Sequence, residues 1–218
     1  TRLGRNLKMK YGITPLFSKV FYERILDIDT KKIVSLINDN EFQKSGHGSK
    51  IDVDNICSAS ISKHILEKDI FSELKNIVMQ EFNFFKNNVM FFENDFKITT
   101  SWLTRSTNEQ SSNYHNHNNC MYSGILYLQT DKNSGDISFE NFNNNRYKVN
   151  TNDYNQFNSQ EWQFKPVNGL ILIFPSEVHH KILKNSSDIT RYSLAFNFVP
   201  VGKIGDGDSF IDMDINHE

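Results

Sequence analysis

From residue 96 onward the sequence breaks into short β-branched and aromatic runs, and this change of rhythm constrains the fold more than any other feature. Residues 96–105, 123–129, 136–140, 169–174, 181–184 and 191–199 are such runs. Polar turns separate them, among them Asn133-Ser134-Gly135 and Asn168-Gly169. Apolar or alternating stretches of this length between turn residues read as strands. The first part of the chain reads differently. Asp29 or Thr30 is placed to cap a short helix carrying Ile33, Val34 and Ile37, and Asp69 to cap a longer one reaching about Lys86. Phe71, Leu74, Val78, Phe82 and Phe85 recur every three or four residues there, an apolar stripe whose plain use is core packing. Residues 41–60 are polar and contain Gly, which predicts a loop, and Pro15 limits the stretch around it to an edge strand or turn. Helices followed by many short strands predict a mainly β domain, a sandwich or barrel buttressed by N-terminal helices.

The chain has 218 residues, enough for one domain with a full core, and 18 of them are Phe. A disordered chain would lack that aromatic content. No apolar run approaches the roughly 18 residues of a membrane span, and no signal peptide is visible behind the basic opening residues. The formal net charge of −2 argues against nonspecific nucleic-acid binding, which needs a concentrated positive field. Cys57 and Cys120 are too few for a disulfide framework and suit free thiols in a reducing compartment. The expectation is a soluble, single-domain protein of the cytoplasm.

Chemistry concentrates in the histidines. His115-Asn116-His117 puts two imidazoles on one face of an extended strand, a natural two-ligand clip for Fe, Zn, Cu or Ni. Taken alone, the pair is more often surface decoration. His179 and His180 follow the apolar run Leu170-Ile171-Leu172-Ile173-Phe174, broken by Pro175, and either could supply a third ligand from a neighbouring strand. A facial three-ligand site leaves positions open for a cosubstrate and oxygen. Eleven residues after His180, Arg191-Tyr192-Ser193 opens the last apolar strand, with Arg191 and Ser193 sharing a face. A guanidinium fork is suited to a carboxylate, although a lone Arg is ordinarily a surface cation.

The combination is more specific than its parts. His-X-His, Ser-Gly-Ile-Leu-Tyr-Leu, Gly-Asp-Ile-Ser-Phe, Gly-Leu-Ile-Leu-Ile-Phe-Pro-Ser, His and Arg-X-Ser follow in that order. In order and spacing this resembles the Fe(II)- and 2-oxoglutarate-dependent oxygenases, in particular a branch of small oxygenases, similar to prolyl hydroxylases, that is common in marine bacteria and cyanobacterial phages. The resemblance covers about residues 96–205, and more loosely residues 11–18, which are like the family's first strand. It implies a double-stranded β-helix, a cupin-like jelly roll. The single domain would span residues 1–218, with helical support to about residue 95 and the jelly-roll core over about 96–205. It implies Fe(II) and 2-oxoglutarate as cofactor and cosubstrate, with ascorbate as an auxiliary reductant, and host cytoplasm if the gene is a phage's. Carried over by motif, the metal ligands fall on His115, His117 and His180, and the family spacing to Arg191 selects His180 over His179. His117 stands where the wider family has a carboxylate. Arg191, Tyr127 and Ser193 would hold the distal carboxylate of 2-oxoglutarate. The implied reaction is hydroxylation of a protein, peptide or small-metabolite substrate, with a prolyl residue the first expectation by branch analogy, releasing succinate and CO2.

Two other readings compete. A cupin-type metalloenzyme without 2-oxoglutarate also uses His-X-His, but usually adds a Glu four residues later, where this chain has Met121. A non-catalytic jelly-roll module is the other. Trp102 and Arg105 precede the histidine pair on a predicted strand, and the plainer expectation for them is a core Trp and a surface Arg. The Asn-rich residues 141–158 and the polar residues 41–55 lack packing periodicity and are expected to be mobile lids over the pocket mouth.

Overall fold

The computed structural model describes residues 12–45, 53–141 and 149–216. Within them the chain runs β1 (Tyr22–Ile25), α1 (Thr30–Ser35), β2 (Phe42–Lys44), β3 (Ser58–Ser60), α2 (Ser72–Phe85), β4 (Asp95–Ser106), β5 (Tyr122–Gln129), β6 (Ile137–Glu140), β7 (Glu161–Phe164), β8 (Leu170–Pro175), β9 (His180–Ile182), β10 (Arg191–Ile204) and β11 (Ile211–Met213). The major sheet has eight strands in the order β1-β8-β5-β10-β4-β3-β2, with β11 added along β10. The minor sheet is β7-β6-β9. From β5 to β10 the chain passes back and forth between the two sheets, which is the double-stranded β-helix expected. The strand pairs are antiparallel.

Two apolar clusters explain why the central strands are continuous rather than alternating. Leu126, Leu128, Leu194, Phe196 and Phe198 face the helical side, where Leu74, Val78, Phe82 and Phe85 of α2 cover them. Phe82 stacks on Phe198 with centroids 3.9 Å apart. Ile125, Tyr127, Leu172 and Phe174 face the minor sheet and meet Ile137 and Phe139. A strand buried on both faces is apolar at every position. Gly124 marks the tightest approach, since a Cβ there would lie 2.1 Å from the Phe196 ring.

The expected strands appear with small shifts at their ends, and the 181–184 strand is instead β9, beginning at His180. Asp29 caps α1 by accepting from the Lys32 N–H at 3.0 Å. Asp69 does not cap the longer helix: it opens a 3₁₀ turn, and α2 starts at Ser72 with no side-chain cap. Residues 41–60 are not simply a loop, because β2 and β3 extend the major sheet there. Residues 12–18 form no strand, and the first strand of the fold is β1. Residue 11, much of 41–55 and residues 142–148 lie outside the described residues, so the expected mobility of those segments has no counterpart here. No described helix is long and apolar enough to cross a membrane.

Candidate metal and cosubstrate site

Between the sheets, the inner face of the major sheet carries a row of polar residues interrupted by one apolar rank. The register aligns Thr100, Asn197 and Ser123 in one rank, Trp102, Ala195 and Ile125 in the next, and Thr104, Ser193 and Tyr127 in the third. Arg191 and Ser106 follow. Residues paired across a sheet share a face, so all of these point toward β6 and β9. Their neighbours Leu103, Leu194 and Leu126 point the other way, into the helix-covered cluster.

At one end of this row three imidazoles converge. His115 and His180 form a bridge of two backbone hydrogen bonds, the His115 N–H donating at 3.0 Å and the His180 N–H at 2.8 Å. That pairing puts both side chains on one face, and His117 follows two residues on. Ring centroids lie 5.3 Å apart for His115 and His117, 4.4 Å for His115 and His180, and 5.1 Å for His117 and His180. One ring nitrogen from each residue falls within 4.8 Å of the others, a grouping able to hold a metal ion.

Hydrogen bonds decide which nitrogen is offered. Nδ1 of His115 lies 2.9 Å from the Asn113 carbonyl, and Nδ1 of His180 lies 2.9 Å from the Val178 carbonyl. A carbonyl only accepts, so each Nδ1 carries the proton and each Nε2 keeps its lone pair. Nδ1 of His117 meets Ser123 Oγ and Asn197 Oδ1, each at 2.8 Å. Burial, reinforced by the neighbouring imidazoles, pushes His180 down to about 3 and His117 down to about 4. His115 is lowered as well, by desolvation on the side where its ring meets the other two imidazoles. All three are neutral at pH 7, the form that donates to a metal. His180 is buried, His117 half-buried and His115 exposed, so the way in from solvent lies on the His115 side. Phe174 and Phe139 wall His180 at 5.0 and 5.6 Å, and Trp102 stands edge-on to His117 at 5.4 Å.

At the other end sits Arg191, 1 % exposed. Among the described residues none of its three side-chain nitrogens has a hydrogen-bond partner, and neither do Tyr127 Oη or Ser193 Oγ. The guanidinium carbon lies 5.0 Å from the centroid of the Tyr127 ring. Burial raises the Tyr127 phenol to about 12, against the opposing pull of Arg191, so it stays a donor. A buried, unpaired cation costs several kcal/mol, and two neighbouring unpaired hydroxyls add to that. Such a cluster fits an anion with several acceptor oxygens, such as a carboxylate.

Most of the expected site residues therefore meet in one inter-sheet space: His115, His117 and His180 at one end, Arg191, Tyr127 and Ser193 at the other. His179 is not one of the three grouped histidines; its carbonyl accepts from the Glu140 N–H at 2.9 Å. Arg105 lies on the opposite face, over Phe42 and 3.5 Å from Asp39, as a surface Arg would. Trp102 is not a core Trp, because it walls the histidine site. Asn197, Ser123 and Ser176 went unread in the sequence. The available signal was a polar residue interrupting an apolar strand at an inner-face position.

Residues 100–197 match the family described as "Putative 2OG-Fe(II) oxygenase". Among solved structures, the chain is similar to a Pseudomonas putida prolyl-4-hydroxylase at 14 % identity and a TM-score of 0.57, over 82 % of this chain and 92 % of that one. It is similar to a Trichoplax adhaerens prolyl hydroxylase in complex with a hypoxia inducible factor peptide fragment, at 12 % and 0.58, over 82 % and 83 %. It is also similar to HygX from Streptomyces hygroscopicus with nickel, 2-oxoglutarate and hygromycin B bound, at 10 % and 0.55, over 83 % and 82 %. At these identities the likenesses establish a shared fold. No curated protein matches by sequence. The matched segment carries both ends of the inter-sheet site, and over it the chain is similar to the iron- and 2-oxoglutarate-dependent oxygenases.

Proposed function

We propose that His115, His117 and His180 hold Fe(II) through Nε2, that Arg191, Tyr127 and Ser193 hold the distal carboxylate of 2-oxoglutarate, and that the enzyme hydroxylates a prolyl residue of a peptide. The observation that carries this reading is the Arg191 guanidinium, without a hydrogen-bond partner among the described residues, beside Tyr127 Oη and Ser193 Oγ and facing the same inter-sheet space as the histidine triad. Arg191 gives the dicarboxylate a charge-assisted fork, and the two hydroxyls donate the remaining hydrogen bonds. Iron and 2-oxoglutarate supply the oxidising chemistry, and the protein binds, orients and excludes water. Overall, O2, 2-oxoglutarate and a C–H bond give an alcohol, succinate and CO2, with one oxygen atom in the alcohol and the other in succinate. Phe139, Phe174 and Ile125 keep the space dry, and the exposed side of His115 admits the substrate. Two of the similar folds are prolyl hydroxylases by name, which motivates the substrate class.

The test is anaerobic titration of the metal-free protein with Fe(II) and 2-oxoglutarate, followed by succinate measurement in air with and without proline-containing peptides. Peptide-dependent succinate together with hydroxyproline is the expected result. Binding of 2-oxoglutarate without peptide-dependent turnover would overturn the prolyl substrate, and no binding would overturn the site assignment. Arg191→Ala should cost about 2–5 kcal/mol, roughly one and a half to three and a half orders of magnitude in 2-oxoglutarate affinity, with metal binding retained. Tyr127→Phe should cost on the order of 1 kcal/mol, because one neutral donor is lost.

A further inference from the structure

The three imidazoles are oriented by different kinds of partner. His115 and His180 each use the backbone carbonyl two residues before them, which no substitution removes. His117 uses side chains: Asn197 Oδ1 and Ser123 Oγ, both 2.8 Å from its Nδ1. Asn197 is 8 % exposed and sits at an irregularity in β10, where the pairing with β4 shifts between Asn197 and Phe198. Such a bulge re-aims a side chain. Its amide is tied on both sides. Ser123 Oγ donates to Oδ1 at 2.7 Å and lies 2.8 Å from Ser176 Oγ, while Nδ2 donates to Thr100 Oγ1 at 2.9 Å.

An asparagine amide has two ways to meet an imidazole. With Oδ1 toward His117, Nδ1 carries the proton and Nε2 is free to ligate. With the NH2 toward His117, Nδ1 must accept, Nε2 carries the proton and the ring cannot bind a metal. The structure has the first arrangement, with Thr100 taking the amide hydrogen on the far side. Second partners of this kind fix both tautomer and ring direction in metal-ligating histidines.

We propose that Asn197 is the positioning residue of the metal centre: it locks His117 in the Nδ1–H tautomer with Nε2 toward the ion. It does so as a neutral amide rather than a carboxylate. The inference rests on His117 being a ligand, as proposed above, and adds which residue makes it one.

Cobalt(II) is the probe, titrated anaerobically into the full-length metal-free protein and followed by its visible d–d absorption, so the readout does not depend on turnover. Asn197→Ala should bind cobalt about 10–100-fold more weakly, with an altered band. Asn197→Asp, which can only accept, should bind within a few-fold of the wild type. In a His117→Ala background, adding Asn197→Ala should cost nothing further, because a residue acting through His117 is silent without it. Should Asn197→Ala fail to fold, Thr100→Val removes only the far-side anchor and should shift affinity in the same direction by a smaller factor. Wild-type affinity and spectrum in Asn197→Ala, or in a folded Thr100→Val if it alone can be measured, would overturn the proposal. So would Asn197→Asp behaving like Asn197→Ala, or a full additional loss in the His117→Ala background. A wild-type protein with no cobalt band would instead refute the metal site itself.

Discussion

A guanidinium with 1 % exposure and no acceptor among the described residues is a residue selected for something other than the stability of the cosubstrate-free protein. Replacing a buried charge with an apolar chain of similar length is often neutral or stabilising. Arg191→Met is therefore expected to raise the melting temperature of the cosubstrate-free enzyme by a few degrees, at about 2–4 °C per kcal/mol for a chain this size. The same variant should lose the further rise that 2-oxoglutarate gives the wild type by binding the folded state. Thermal scans with and without 2-oxoglutarate check both halves; a lower cosubstrate-free melting temperature in Arg191→Met would mean that the guanidinium has a partner. A period of two placed His115 with His117 and Arg191 with Ser193 on shared faces in the sequence, and only the resemblance to the oxygenases pointed from there to a site. Asn197 was not legible there, because its role depends on which strands flank β10, and register across a sheet is not written in one strand. Trp102 misled for a related reason: an aromatic on a central strand packs in the core unless a site opens beside it.

At the scale of elements, strands with dense apolar content were readable, as were the short β6 and β9, whereas β2, β3 and the polar β7 were not. β5, β8 and β10 are buried on both faces and announce themselves. β7 reads Glu-Trp-Gln-Phe, a mostly exposed edge strand, and β2 and β3 have three residues each at the far edge of the major sheet. Their pairing comes from neighbours rather than from propensity. Close packing of β5 against β10 gives one direct expectation. Gly124→Ala would drive a methyl into the Phe196 ring and should cost about 1–3 kcal/mol, visible as a drop in melting temperature; an unchanged value would mean the ring can swing aside. The Asn-rich stretch leaves the minor sheet at its metal end: the Glu140 N–H donates to the His179 carbonyl, and the Asn141 N–H to the Gln160 carbonyl. Tyr154 and Phe157 within it, and Trp162 just after it, are exposed. Shortening residues 142–158 should reduce turnover of the true substrate more than 2-oxoglutarate decarboxylation without substrate, since the latter needs only the histidine and Arg191 neighbourhood. Comparing succinate yield with product yield in the shortened variant decides it, and an equal loss of both would assign the stretch to stability.

The whole molecule divides the site between its layers. His180 belongs to β9 in the minor sheet, and His115 is tied to it by backbone bonds. His117 is held by Ser123 and Asn197, which belong to β5 and β10 in the major sheet, where Arg191, Tyr127 and Ser193 also lie. A metal bound by all three histidines would thus be a cross-link between sheets. The layers differ in how well they are held otherwise. The major sheet is backed by α2 through Val78, Phe82 and Phe85, each with no exposure. The minor sheet has three short strands and a largely polar outer face formed by Ser138, Glu161, Gln163 and Lys181. Local opening draws on the least covered elements first, so the minor sheet should exchange its amides faster than α2 and β10 in the metal-free enzyme. Adding metal and 2-oxoglutarate should slow exchange in β6 and β9 and in residues 112–117 well beyond any change in α2. Hydrogen exchange of the loaded and metal-free protein, compared with the same pair for His180→Ala, measures this directly. Protection spread evenly over the molecule, or unchanged in His180→Ala, would mean that the ion is held by one layer alone.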